Sequence, residues 1–200
     1  MIHLPSFVGF ARLFILLCWL AFGAVFFLRK KPAQEGTARR APAALAGIAL
    51  QGAGFFAVWI LQAEMFPAFA PPDLVVRILC VLAAVLAVTS DWLVIEAVRV
   101  LGKQWSLQAR LIEGHRLVVA GPYSYMRHPI YTGMLTMLVA TGLAFSVWWA
   151  VALAVPIFAA GTAIRVRAEE RLLHDAFGED FEAYRRHVPA VIPRWRIPRI

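Results

Sequence analysis

Residues 130–164 read IYTGMLTMLVATGLAFSVWWAVALAVPIFAAGTAI, a stretch without a charged side chain. It divides into apolar runs over 130–145 and 146–164, with Gly142 and Ser146 near the junction. A helix that crosses a bilayer needs about 20 mostly apolar residues. The second run has that length. The first is short and predicts a tilted helix or an incomplete crossing. Together they predict a helical hairpin. A hairpin brings its ends together, so the residues before Ile130 and after Ile164 become neighbours in space.

Composition places the hairpin in a membrane protein. Of 200 residues, 61% are hydrophobic and 16% charged, with a mean hydropathy of +0.69, whereas an average globular chain is about 25% charged. This excludes a disordered chain, a disulfide scaffold and a soluble nucleic-acid binder. The net charge of +8 reads instead as charge facing the cytoplasm and anionic headgroups. Cys18 and Cys80 lie in apolar runs with no metal-ligand spacing. They are read as packing residues, and no metal site is expected.

Three more apolar runs, over about 5–28, 42–66 and 74–98, precede the hairpin. The first is read as a retained helix. No basic region precedes it, and it is too long for a signal peptide. The loop 29–41 carries Arg29, Lys30, Lys31, Arg39 and Arg40 against Glu35, while the loop 67–73 has no basic residue. Basic loops mark the cytoplasmic side. The expected fold is therefore all-α and integral to the membrane, with about five transmembrane helices. The N-terminus lies outside and the C-terminus inside. Residues 1–98 form three membrane helices. Residues 99–200 form a core of cytoplasmic connector, helical hairpin (129–164) and cytoplasmic tail helix. Gly178 is read as a C-cap, a short helix is expected around 180–187, and Pro189, Pro193 and Pro198 forbid regular helix beyond it.

Polar chemistry concentrates in two segments that the hairpin joins: QARLIEGHRLVVAGPYSYMRHPIY at 108–131 and RVRAEE at 165–170. They converge His115, Tyr123, Arg127, His128, Tyr131, Arg165, Glu169 and Glu170 on one membrane-proximal, cytoplasmic pocket. Arginine offers a planar fork to a carboxylate, and a carboxylate accepts from hydroxyl or amino groups. Aromatic faces attract a sulfonium. Such a pocket suits a polar, charged cofactor beside an amphipathic substrate. Arg165 and Glu169, four residues apart, share a helix face.

The run HRLVVAGPYSYMRHPIYTG (115–133), followed by RVRAEERLLHDAFGEDFEAYRRHVPAVIP (165–193), resembles the isoprenylcysteine carboxyl methyltransferases and the related phospholipid methyltransferases. These are integral-membrane enzymes that use S-adenosylmethionine. The resemblance covers about residues 99–195. It implies cofactor contacts at Gln108, His115, Arg116, Leu117, Val118, Tyr123, His128, Pro129, Ile130, Tyr131 and Glu169. It implies a substrate-side role for Arg165, with Arg127 in the same Arg-His-Pro motif. It also implies membrane lipids and a lipophilic or prenylated substrate as partners.

Several readings compete at this stage. A carboxylate acceptor needs no general base, because it is already ionised, whereas a phospholipid amine or a small thiol must lose a proton. The residues name no unambiguous base, which favours the carboxylate. In a different class, a non-catalytic lipid-binding protein would need the basic residues but not the joint set of Gln108, His115, Tyr123, His128 and Glu169. Arg127 and His128 alone would serve as headgroup anchors. Arg185, Arg186, Arg194, Arg196 and Arg199 read as lipid-surface charge. Arg77, Asp91 and Glu96 in the third span mark paired or functional positions. Gly52 and Gly54 sit inside a span and follow no strand, so they are not a dinucleotide fingerprint.

Overall fold

The computed structural model of the chain describes residues 6–28, 39–40, 43–62, 72–102, 110–111 and 116–193. Gln108, His115, the cluster Arg29–Lys31, and Arg194, Arg196 and Arg199 lie outside the described residues. Six α-helices follow in order: α1 (Phe7–Leu28), α2 (Ala43–Ile60), α3 (Asp73–Leu101), α4 (Pro129–Phe145), α5 (Trp148–Phe177) and α6 (Glu179–His187). A 3-10 turn at Gly121–Ser124 precedes α4. The described residues also form a two-residue antiparallel ladder, β1 (Arg39–Arg40) with β2 (Arg110–Leu111), and an isolated antiparallel bridge between Gln62 and Ser146. That ladder joins Arg39–Arg40, ahead of α2, to Arg110–Leu111, between α3 and α4.

Helices α1, α3 and α5 are long and apolar enough to cross a membrane; α2 and α4 are shorter apolar helices. Large apolar side chains such as Leu20, Phe27, Phe56, Leu74 and Trp92 point outward. In water so extensive an apolar surface would aggregate; in lipid it is the solvated face. The inner faces are built from small residues, including Ala83, Ala87, Ala140, Ala150 and Ala154. Lipid gives no hydrophobic drive for helix association, so close backbone approach and packing supply it.

The hairpin reading holds, with the turn at Ser146–Val147. Its arms touch where Gly142 faces Val151. The Ser146 hydroxyl donates to the Val58 carbonyl, so the end of α2 anchors the turn. From there α2 runs antiparallel along α5: Gly54 faces Ala154 and Phe158, and Gly47 faces Gly161 and Arg165. Helix α3 packs on α4, where Gly133 admits Val94 and accepts a 2.7 Å hydrogen bond from Ser90. Helix α1 runs parallel to α3, with Arg77 over the Phe7 ring near their first residues. Its Trp19 reaches across to donate to Thr141 on α4.

Helix α5 passes unbroken from its apolar part into the polar residues 165–177 and ends at Gly178. Gly178 has φ +52°, a left-handed conformation that costs glycine little. The chain turns there directly into α6. Pro129 occupies the first position of α4, where its fixed φ suits a helix start and no N–H is required. Asp91 and Glu96 divide: Glu96 pairs with Arg99 at 3.8 Å, while Asp91 lies against Cys18 of α1.

The α2–α5 crossing is set by backbone against backbone. A methyl group on Gly161 would stand 2.7 Å from the Gly47 carbonyl oxygen and 2.9 Å from the Gln51 nitrogen. Gly161→Ala should therefore cost about 1–3 kcal/mol and lower the melting temperature of the detergent-solubilised protein. Gly52→Ala, on the same α2 but facing open space, should not. Equal melting temperatures for the two variants would contradict the crossing.

Candidate active site

The Arg-His-Pro segment leads into α4, and the polar third of α5 lies beside it. Arg127 extends its guanidinium to Glu170: Nε and Nη2 both donate to Oε1, at 2.8 and 2.6 Å. Its Nη1 donates to the carbonyls of Arg185, at 3.1 Å, and Val188. His128 is buried between two carboxylates, with Nδ1 3.3 Å from Glu169 Oε2 and Nε2 3.2 Å from Glu170 Oε1. Carboxylates accept, so both ring nitrogens donate only in the imidazolium form. Burial pulls the His128 pKa down, but the hydrogen bonds and charges of Glu169 and Glu170 outweigh it, and the net direction is up.

Tyr131 lies one turn further along α4. Its hydroxyl donates to Glu169 Oε1, and its ring stacks on His128 with centroids 5.7 Å apart and planes 17° from parallel. The guanidinium of Arg165 lies 4.8 Å over the opposite partner of that contact, the Tyr131 ring. Arg165 Nη2 is 3.6 Å from Glu169 Oε1, and Nη1 donates to Gln51 Oε1 at 3.1 Å. With His128 protonated, Arg127, His128 and Arg165 oppose Glu169 and Glu170. The cluster carries a surplus of one positive charge.

The tail covers this cluster through its backbone. The N–H groups of Arg127 and His128 donate to the Pro189 and Ala190 carbonyls, at 2.9 and 2.8 Å. The Thr132 hydroxyl donates to the Val191 carbonyl at 2.6 Å. The Tyr184 hydroxyl donates to the Tyr123 carbonyl at 2.6 Å, which ties the 3-10 turn to α6. Tyr123 is buried; burial first, then the nearby Glu169 charge, pushes its pKa well up.

Of the expected site residues, His128, Tyr131, Arg165 and Glu169 meet directly, Arg127 joins them through Glu170, and Tyr123 adjoins them. Pro129 is buried at the start of α4. Ile130 packs against the apolar core cluster that includes Val94, Val98 and Met137. Arg116 is exposed, and Leu117 and Val118 are half-buried, in the irregular stretch before the 3-10 turn. Gln108 and His115 lie outside the described residues. Sequence reasoning missed Gln51, Tyr184 and the tail carbonyls; it brought Glu170 to the pocket but implied a cofactor contact for Glu169 alone. A glutamine inside an apolar span was the one signal available for Gln51.

A family model described as phospholipid methyltransferase matches residues 78–180, just over half of the chain. The chain belongs to the phospholipid methyltransferase family. It is also similar to a protein-S-isoprenylcysteine O-methyltransferase of Schizosaccharomyces pombe, at 33% identity over 40% of this chain and 34% of that one. It is 35% identical to protein-S-isoprenylcysteine O-methyltransferase B of Arabidopsis thaliana, over 44% of each chain. It is likewise 35% identical to the cobalt-zinc-cadmium resistance protein CzcN of Cupriavidus metallidurans, over 49% of this chain and 45% of that one. The match therefore spans less than half the length of each of these relatives. The matched family segment runs from α3 through the start of α6 and contains the whole Arg127–Glu170 cluster.

The raised His128 pKa fixes a pH dependence of stability. The stabilisation is fully present below the ordinary value of 6.5 and is lost as pH rises through the higher folded-state value. The melting-temperature gap between the wild type and His128→Gln should thus be widest in mildly acidic buffer and narrow toward alkaline pH. A gap that widens with pH would contradict the imidazolium between the two carboxylates.

Proposed function

We propose that the chain is an S-adenosylmethionine-dependent methyltransferase held in the membrane by α1–α5. In this reading the Arg127–Glu170 cluster faces the cytoplasm and the N-terminus lies outside. Residues 1–98 serve as a three-helix membrane part, and residues 99–200 as the methyltransferase core. The observation that carries the proposal is the meeting of His128, Tyr131, Arg165 and Glu169 at the polar end of an apolar hairpin.

The donor set suits the cofactor. Glu169 leaves 23% of its side-chain surface exposed, enough to accept from hydroxyl or amino groups of a nucleoside. Tyr123, Tyr131 and His128 supply aromatic surface, and Gln108, His115, Arg116, Leu117, Val118, Pro129 and Ile130 are proposed as further cofactor contacts on the resemblance. When bound, S-adenosylmethionine supplies an activated methyl group on a sulfonium sulfur. The chain's part is to hold two reactants close and aligned and to keep water from them behind the apolar hairpin and the tail.

The acceptor is proposed to be lipophilic or amphipathic and to arrive from the bilayer, with an isoprenylcysteine-type carboxylate foremost. Two features favour a carboxylate. The cluster's surplus positive charge attracts an anion, and Arg165 can hold an oxygen by a charge-assisted bond. Glu169 and Glu170 are both engaged by cations, which makes them poor bases for an amine or thiol that must lose a proton.

The test is transfer of radiolabelled methyl groups into a total lipid and small-molecule extract, with identification of the labelled product. A labelled methyl ester supports the reading; a labelled phospholipid amine or thioether overturns the acceptor, and no labelled product overturns the activity. Glu169→Gln should weaken cofactor binding about tenfold or more. Arg165→Ala should reduce turnover more than cofactor binding. Equal loss of both in Arg165→Ala would contradict its substrate-side role.

A further inference from the structure

We infer that Gln51 of α2 is a positioning residue for Arg165, and that it fixes the guanidinium without neutralising it. The inference rests on the reading of Arg165 as the acceptor-side cation. It adds to the site a helix that lies outside the matched family segment, 78–180.

Gln51 is 2% exposed, a full amide inside an apolar helix. Such a group is costly in lipid unless both its ends are bonded. Its Nε2 donates to Thr162 Oγ1 at 2.9 Å, and its Oε1 accepts from Arg165 Nη1 at 3.1 Å. Thr162 and Arg165 are three residues apart on α5 and present neighbouring groups to α2. The amide orientation is decided by chemistry: the reverse placement would set an NH2 group against a guanidinium, donor against donor.

The approach that makes this possible is the glycine crossing. Gly47 lies one turn before Gln51 on α2, and a methyl group there would stand 2.5 Å from Arg165 Cγ and 2.7 Å from the Gly161 carbonyl oxygen. Small residues at that crossing bring α2 onto the stem of Arg165, and Gln51 then meets the head.

An amide differs from a carboxylate in one respect that matters for an anionic acceptor. It accepts the guanidinium hydrogen bond and contributes no charge. Glu169 already lies 3.6 Å from Arg165. A second carboxylate in place of Gln51 would cancel the cluster's surplus positive charge and lower the pull of Arg165 on an anion. Gln51 thus restrains rotation of the guanidinium while leaving its charge for the acceptor.

The test uses the full chain in lipid nanodiscs, with 15N-labelled arginine and the Arg165 guanidinium signal assigned by its loss in Arg165→Lys. Gln51→Met, close in volume, should release the guanidinium into fast rotation and reduce acceptor kcat/KM about tenfold or more. Its affinity for S-adenosylmethionine should stay within about twofold of wild type, well short of a tenfold change. Gln51→Glu should keep the guanidinium restrained yet raise the acceptor KM. Thr162→Val, which removes only the partner of the amide nitrogen, should shift both readouts in the Gln51→Met direction; it serves where Gln51→Met does not fold. A guanidinium signal and an acceptor KM that stay as in wild type in Gln51→Met, or in Thr162→Val in its place, would overturn the inference. So would a Gln51→Glu variant that binds acceptor as wild type does. Absence of methyl transfer by the wild type would instead overturn the functional reading, and the guanidinium signal would still decide whether Gln51 restrains Arg165.

Discussion

Charge at the edge of an apolar helix bundle is tolerable only when it is matched, because a buried ion without a partner carries the full cost of its lost hydration. Arg127, His128, Arg165, Glu169 and Glu170 meet that constraint as one set. Glu170 joins Arg127 to His128, and Glu169 joins His128 to Tyr131 and Arg165. Their matching requires the start of α4 and the polar third of α5 to stand side by side, which the hairpin of 130–164 provides. The rest of the architecture follows from supporting that pair: α3 backs α4 through Gly133, α2 backs α5 through Gly47 and Gly161, and the tail closes the end.

The tail shows how backbone atoms complete a site. Arg127 and His128 stand just before the proline that opens α4, so their N–H groups have no partner within the helix and remain to be bonded elsewhere. The Pro189 and Ala190 carbonyls accept them. Proline in the tail keeps that segment out of regular helix, which leaves its carbonyls to accept from the Arg-His-Pro segment. Helix α6 delivers it to that position, held by the Tyr184 hydroxyl on the Tyr123 carbonyl.

Much of this was legible in the sequence. The helices announce themselves as apolar runs, and their ends fall at residues with a local reason to stop or start them, Pro129 and Gly178 among them. The meeting of Arg127 and His128 with Arg165, Glu169 and Glu170 was legible because a charge-free stretch of two helices' length returns its flanks to one place. Helix partners were not legible. Apolar runs of lipid-facing helices look alike, and Gly47, Gly133 and Gly161 gain meaning only once the facing residue is known. The β1–β2 ladder is two residues long and has no alternation to read. Glu169 and Glu170 both belong to the cluster: an imidazolium has two nitrogens, and each takes one carboxylate. The covering carbonyls of 185–191 are main-chain atoms, which no residue identity announces. Arg185 reads as surface charge, and its exposed side chain pairs with Glu182 on the same helix; what its identity does not announce is that its carbonyl accepts from Arg127.

In the proposed function, the Tyr123–Tyr131 segment, the polar part of α5 and the tail hold S-adenosylmethionine together at one end of the bundle. Hydrogen–deuterium exchange of the protein in nanodiscs, with and without S-adenosylmethionine, addresses it most directly. The account predicts that the cofactor slows exchange together in the segments around Tyr123–Tyr131, Arg165–Glu170 and Tyr184–Val191. Slowing confined to one of these segments, or none at saturating cofactor, would contradict it.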